Sequence, residues 1–142
     1  MPKLTYRMRP ILISLLLLSL LAGVSACEQS FETPVQLAEG TYSGHFIRSS
    51  PAAKYAAAEV TLVLKDGRFS GSSNISRYPA ICTGTYQIKG TTIEFQNECF
   101  FTADFDWSLI LSGTFHLSAS DGDIVLFREF GEGVMDTYRL KK

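Results

Sequence analysis

Ile81-Cys82-Thr83-Gly84-Thr85-Tyr86-Gln87-Ile88-Lys89-Gly90-Thr91-Thr92-Ile93-Glu94-Phe95-Gln96-Asn97-Glu98-Cys99 is the stretch from which the fold can be read. Gly84, Tyr86 and Ile88 alternate with Thr83 and Thr85, and Ile93 and Phe95 flank Glu94. A period of two describes half-buried strands and argues against an amphipathic helix. Gly90-Thr91 is a two-residue loop, the length that hairpins favour, with glycine available where φ is positive. Closing the hairpin there sets Lys89 opposite Thr92, Ile88 opposite Ile93, Tyr86 opposite Phe95 and Cys82 opposite Cys99. An isolated hairpin is marginally stable at best in water, so the pattern has to continue on both sides.

From Gly40 onward, turn chemistry divides the chain into eight candidate strands: Thr41–Arg48, Glu59–Lys65, Arg68–Ser73, Ile81–Ile88, Thr92–Asn97, Ser108–Ser118, Asp123–Glu129 and Val134–Leu140. Asp66-Gly67 and Asp121-Gly122 supply two more two-residue loops, and Gly131-Glu132-Gly133 suits a three-residue loop with Gly133 left-handed. One face collects Tyr42, Phe46, Leu62, Leu64, Phe69, Phe95, Leu109, Leu111, Phe115, Leu126 and Tyr138; the other carries Thr41, Ser43, His45, Glu59, Thr61, Thr114 and His116. The predicted class is all-β, an eight-stranded antiparallel up-and-down barrel whose closure removes exposed edges. A β-sandwich of two sheets uses the same pattern and stays open as the alternative. Inward glycines at Gly44, Gly71, Gly84 and Gly113 mark either sharp strand bending or room for a guest.

The first 26 residues are different material. Lys3, Arg7 and Arg9 precede an apolar run from Ile11 to Leu21, which is shorter than the ~20 residues that span a bilayer, and small residues follow, as in a secretory signal peptide. Leu21-Ala22-Gly23-Val24-Ser25-Ala26-Cys27 resembles a bacterial lipobox. That resemblance implies cleavage before Cys27, lipidation of its sulfur, and a membrane-anchored envelope domain. Glu28, where an aspartate often causes inner-membrane retention, implies the outer membrane, with the domain on its periplasmic or surface side. Residues 1–26 are then the signal peptide, 27–39 a lipidated tether and 40–142 a barrel domain with one core. Removing the leader takes away three basic residues and no acidic one, so the net charge moves from −1 to −4 over the remaining 116 residues. No basic stripe is present to neutralise phosphates, so nucleic acid is not an expected partner.

An envelope compartment is oxidising, and the hairpin register then points to a structural Cys82–Cys99 disulfide; two buried thiols that never meet are the alternative. The Gly131–Gly133 loop sets Arg128 opposite Asp136 on the apolar side, either as a structural ion pair or as an anchor for a ligand's anionic head. Between the fifth and sixth strands, Phe100, Phe101, Phe105 and Trp107 crowd one loop with Asp104 and Asp106. The rings either shape an apolar pocket at the barrel mouth or fold down to plug it. Asp104-x-Asp106 is too short for a calcium loop, and no metal site is expected. Ser50-Pro51 fits an N-cap and first helical position, so residues 48–58 are expected to hold one helical turn or a lid. Arg77 and Tyr78 lie in a loop from which they either reach a ligand or simply meet solvent.

The chain has no nucleophile elbow, zincin helix, phosphate-cradling glycine loop or paired-cysteine metal site. His45 and His116 fall on the outward face. Neither an enzyme nor a cofactor is expected. Gly40-Thr41-Tyr42-Ser43-Gly44 resembles the Gly-x-aromatic opening of lipocalins, with Tyr42 where they carry tryptophan. It also resembles the opening of the N-terminal barrel of copper-resistance, surface-sensing envelope lipoproteins, without the paired cysteines that follow the first strand there. The runs Tyr78-Pro-Ala-Ile-Cys-Thr-Gly-Thr-Tyr86, Asn97-Glu-Cys99 and Thr102-Ala-Asp-Phe-Asp-Trp-Ser-Leu-Ile-Leu111 are similar to small uncharacterised bacterial lipoproteins of lipocalin-like (calycin-type) architecture. This resemblance implies a fold and an anchor, and no activity. Two functions are expected as alternatives. One is a barrel that binds a small apolar or amphipathic ligand, with Tyr42, Phe100, Phe101, Phe105, Trp107, Arg128 and Tyr138 as candidate contacts. The other is a protein-contact or structural envelope module with a filled barrel and no ligand.

Overall fold

The computed structural model describes residues 34–142; the expected signal peptide, the lipidation site Cys27 and the first part of the tether lie outside the described residues. Eight strands follow in order: β1 (Gly40–Ser49), β2 (Ala58–Lys65), β3 (Arg68–Ser73), β4 (Thr83–Lys89), β5 (Thr92–Asn97), β6 (Gly113–Ser120), β7 (Asp123–Glu129) and β8 (Met135–Lys141). Each pairs antiparallel with the next, and β8 returns to β1, closing an up-and-down barrel. β1 pairs with β8 from Ser43↔Lys141 to Ser49↔Met135, as extensively as it pairs with β2. That seam leaves no free edge and excludes the sandwich.

Three of the connections are the two-residue loops read from the sequence. Lys65↔Arg68, Lys89↔Thr92 and Ser120↔Asp123 are the last pairs before each turn. Asp66 and Gly67 take φ of 50° and 71°, and Asp121 and Gly122 take 50° and 87°. Positive φ at both central residues is the twist that suits a two-residue hairpin, and an aspartate followed by glycine tolerates it best.

Strand parity decides the core. Tyr42 and Phe46 from β1, Leu62 and Leu64 from β2, Phe69, Phe95, Phe115, Leu126 and Tyr138 are all buried in one cluster. Their rings interlock across the lumen. Centroids lie 5.1 Å apart for Phe69–Phe95, 5.8 Å for Phe95–Phe115, 5.8 Å for Phe115–Tyr138 and 4.8 Å for Tyr138–Phe46. These edge-on and tilted contacts suit the ring quadrupoles, and each buried side chain contributes about 1.5–3 kcal/mol through lost water contact. Of the four glycines expected to point inward, Gly113 is exposed, and the other three do not open space for a guest. An added Cβ would meet a carbonyl oxygen at 2.1 Å on Gly44, 2.3 Å on Gly71 and 2.0 Å on Gly84, so these positions let neighbouring strands bend close.

Two expectations need correction. The sixth strand does not start at Ser108: Trp107–Leu109 is a 3₁₀ turn capped by the Asp106 carboxylate, which accepts the Ser108 N–H at 3.0 Å, and β6 begins only at Gly113, where φ is +87°. Alternation failed there because Leu111 is buried in the barrel core while Ile110 is buried in a separate small cluster with Ala80 and Phe105. Residues 50–57 form no helical turn either. The Ser50 hydroxyl accepts the Ala52 N–H at 3.2 Å and Ser49 pairs with Lys54, a local turn that goes no further.

Candidate functional site

The long connections, residues 50–57, 74–82, 98–112 and 130–134, meet at one end of the barrel. Cys82 and Cys99 are bonded there, as the hairpin register predicts, with Cα atoms 6.4 Å apart, beyond the last ladder pair Gly84↔Asn97. Both are half-buried, so the bridge caps the strand ends at the margin of the core.

Arg128 and Asp136 are cross-strand partners, as expected. The close partner of Asp136, however, is Arg48, which sequence reasoning missed. Arg48 donates from Nε at 2.6 Å and from Nη2 at 2.8 Å to the two carboxylate oxygens, whereas Arg128 Nη2 stands 3.6 Å away. The signal was present: Arg48 continues the inward parity of Tyr42, Gly44 and Phe46, and faces Asp136 across β1 and β8. The Arg48 and Asp136 side chains are only 5% and 1% exposed. Buried charges of this kind need further hydrogen bonds to offset lost hydration. Arg48 donates to the Ser108 hydroxyl at 2.9 Å and carbonyl at 3.0 Å, while Arg128 donates to the carbonyls of Ser112 at 2.6 Å and Ser108 at 2.7 Å. The two guanidiniums thus satisfy backbone groups of the segment where the expected strand is missing. Hydrogen bonding to Asp136 holds Arg48 above its ordinary pKa, and burial pushes Arg128 below its own. Both guanidiniums lie over the Phe130 ring, at 5.3 and 4.6 Å, and Arg128 also lies over Phe115 at 4.5 Å. The buried Arg128 Nε and Tyr78 hydroxyl have no partner among the described residues.

The aromatic loop divides its rings. Phe105 is buried with Ala80 and Ile110, and half-buried Phe101 packs on it at 4.8 Å. Trp107 is 60% exposed and Phe100 fully so. A short parallel bridge holds the loop in place: Ala80 N–H donates to the Leu109 carbonyl at 3.0 Å, and Leu111 N–H to the Ala80 carbonyl at 2.9 Å. Arg77, in the left-handed region at φ 63°, lays its guanidinium 4.8 Å over Phe105 and donates to Thr102 Oγ1 at 3.2 Å. A hydrogen bond from Thr102, together with Arg77, holds the Asp104 carboxyl below its usual range. Tyr138 lies deep in the lumen, where burial pushes its phenol well up. The structure therefore does not bring the candidate ligand contacts into one pocket.

Tyr42 sits toward the opposite end, where residues 34–39 form a strap. Val35 N–H donates to the Gly90 carbonyl at 3.1 Å, and Val35 and Leu37 pack on the core. The Tyr42 hydroxyl donates to the Ala38 carbonyl, and the Glu39 carboxylate accepts the Asp66 N–H at 2.8 Å. Burial raises the Tyr42 pKa. One concavity of about 520 Å³ runs along the outer wall among Ser43, His45, Glu59, Thr61, Ser72 and Asn74, and another of about 320 Å³ lies at the long-loop end between Ile75, Pro79, Ile81 and two of the candidate contacts, Phe101 and Phe105. Compared with known proteins, the chain matches no family model, no curated protein and no solved structure.

Proposed function

We propose that this chain is an envelope lipoprotein of lipocalin-like type, anchored through Cys27, whose barrel acts by contact with a partner protein and carries no guest in its lumen. The single observation that supports contact over carriage is the set of interlocked rings that occupies the lumen. A guest would have to displace Phe46, Phe95, Phe115 or Tyr138, each fully buried and in contact with the next. The exposed chemistry lies elsewhere. Phe100 and Trp107, the two most exposed large apolar side chains among the described residues, both stand at the long-loop end with Tyr55, and Ile47 lies close to it on β1. Exposed aromatic side chains of this kind provide anchors for a protein interface. The anchor is supported by the motif from Leu21 to Cys27, and the lipocalin-like kinship by Gly40–Gly44 at the start of β1.

The test combines native mass spectrometry of the protein extracted from membranes with a photoreactive side chain placed at Phe100 or Trp107, and at Lys65 as the control. The expected result is a protein adduct at positions 100 and 107 and none at 65, with no small molecule retained by the folded chain. A small apolar molecule that stays bound until the barrel unfolds overturns the proposal.

A further inference from the structure

We infer that the end of the barrel carrying the strap faces the membrane and rests on anionic lipid headgroups, an orientation that builds on the reading of Cys27 as the lipid anchor. The first support is chain length. The tether expected from the sequence runs from Cys27 to Glu39, but residues 34–39 are bound to the barrel, through Val35 on Gly90, Tyr42 on Ala38 and Glu39 on Asp66. Only residues 28–33 are left to span the distance between the anchor and the strap. Even fully extended they reach about 20 Å, so the strap end can stand no farther than that from the acyl chains.

Charge supplies the second support. Lys65, Lys89, Lys141 and Lys142, all exposed, ring the strap end and match the exposed carboxylates Glu39, Asp66, Asp121 and Asp123, while Arg68 beside the same turn is held by Glu98 at 2.6 Å. Lys141 lies 3.1 Å from Asp123 and Lys89 lies 2.7 Å from Glu94, but with lysine side chains 77% and 62% exposed these pairs stay open to a second anion. At the long-loop end carboxylates dominate: Glu59, Asp104, Asp106, Glu129 and Glu132 are exposed, against exposed Lys54 and Arg77. An anionic leaflet repels the acidic loop end and lets the charge-balanced strap end, with its exposed lysines, approach, so electrostatics and the tether favour the same orientation. The aromatic end, with Phe100 and Trp107, then points away from the lipid, toward the space where a protein partner would be met.

The test uses the full chain reconstituted in vesicles of phosphatidylethanolamine and phosphatidylglycerol, with a photoreactive benzophenone side chain replacing either Lys65 or Glu132. Lipid adducts at position 65 are expected to exceed those at 132 about tenfold, and to fall several-fold in Lys65→Glu/Lys142→Glu carrying the probe at Lys89, in high salt, and in phosphatidylcholine vesicles. The mass of the N-terminal peptide from the same sample reports whether Cys27 is acylated. An acylated chain with equal adducts at both ends overturns the orientation and leaves the anchor standing. An unacylated chain that sediments with the anionic vesicles through Lys65 and Lys142 supports the headgroup-facing end and removes the anchor. An unacylated chain that does not sediment overturns both.

Discussion

At the strap end, three two-residue turns pass each strand directly into the next, and backbone geometry alone sets the register. At the other end the connections are longer, and side chains do the holding: a disulfide, a buried Arg48–Asp136–Arg128 group, and a small second core around Phe105. A tight turn keeps backbone polar groups paired within the ladder, whereas a long loop leaves carbonyls that must find donors elsewhere. Two arginines at one end thus do for Ser108 and Ser112 what neighbouring strands do for the other. Stability at the strap end should be sensitive to φ, and at the loop end, where Arg77, Gly113, Glu132 and Gly133 also hold positive φ, to charge and sulfur as well.

The strongest test of that contrast is Asp136→Asn. Arg48 would remain buried, with half-buried Arg128 beside it, without their carboxylate, and unfolding in urea should show a loss of about 3–5 kcal/mol. A loss below about 1 kcal/mol would mean that the loop end is not held by this group. Next comes Cys82→Ser/Cys99→Ser. Reopening a closure across 17 residues should cost about 3 kcal/mol, seen as a lower denaturation midpoint, and hydrogen exchange should rise in residues 98–112 before it rises in the two-residue turns.

Smaller effects separate left-handed positions from ordinary ones. Gly122→Ala, at φ +87°, should lower stability by about 1 kcal/mol. Gly131→Ala should be nearly neutral, because φ there is not positive and an added Cβ meets nothing within 4 Å. Equal losses at both sites would break the distinction. Tyr42→Phe, which removes the hydroxyl from Ala38, should cost about 1 kcal/mol and loosen the strap, read as faster exchange at the Val35 amide. The smallest effect concerns acid. The Asp104 pKa is depressed in the folded state, so its contribution is present above the ordinary value of 3.8 and is lost as pH falls through the lower folded value. An NMR titration should show the Arg77–Thr102–Asp104 contacts loosening only at that acid extreme.

Much of the fold was legible because hairpin chemistry and parity are local. Asp66-Gly67, Gly90-Thr91 and Asp121-Gly122 set three registers, and the Cys82–Cys99 bond followed from one of them. Arg48 was legible too, had parity been carried one step past Phe46. The segment from Trp107 to Ser112 was not, because its neighbours come from distant parts of the chain: Ala80 from the β3–β4 loop, Arg48 from β1 and Arg128 from β7. No spacing within residues 107–112 records that Ile110 and Leu111 enter different clusters.

By itself the sequence determined the strand alternation, the tight turns and which faces are apolar, since these depend on φ preferences and a period of two. Tertiary structure alone decided that the lumen is filled, that Asp136 belongs first to Arg48, and that residues 34–39 lie bound across the barrel. Each of these depends on how side chains from separate strands share one volume or one charge. Packing and desolvation settle that competition only once the barrel has closed.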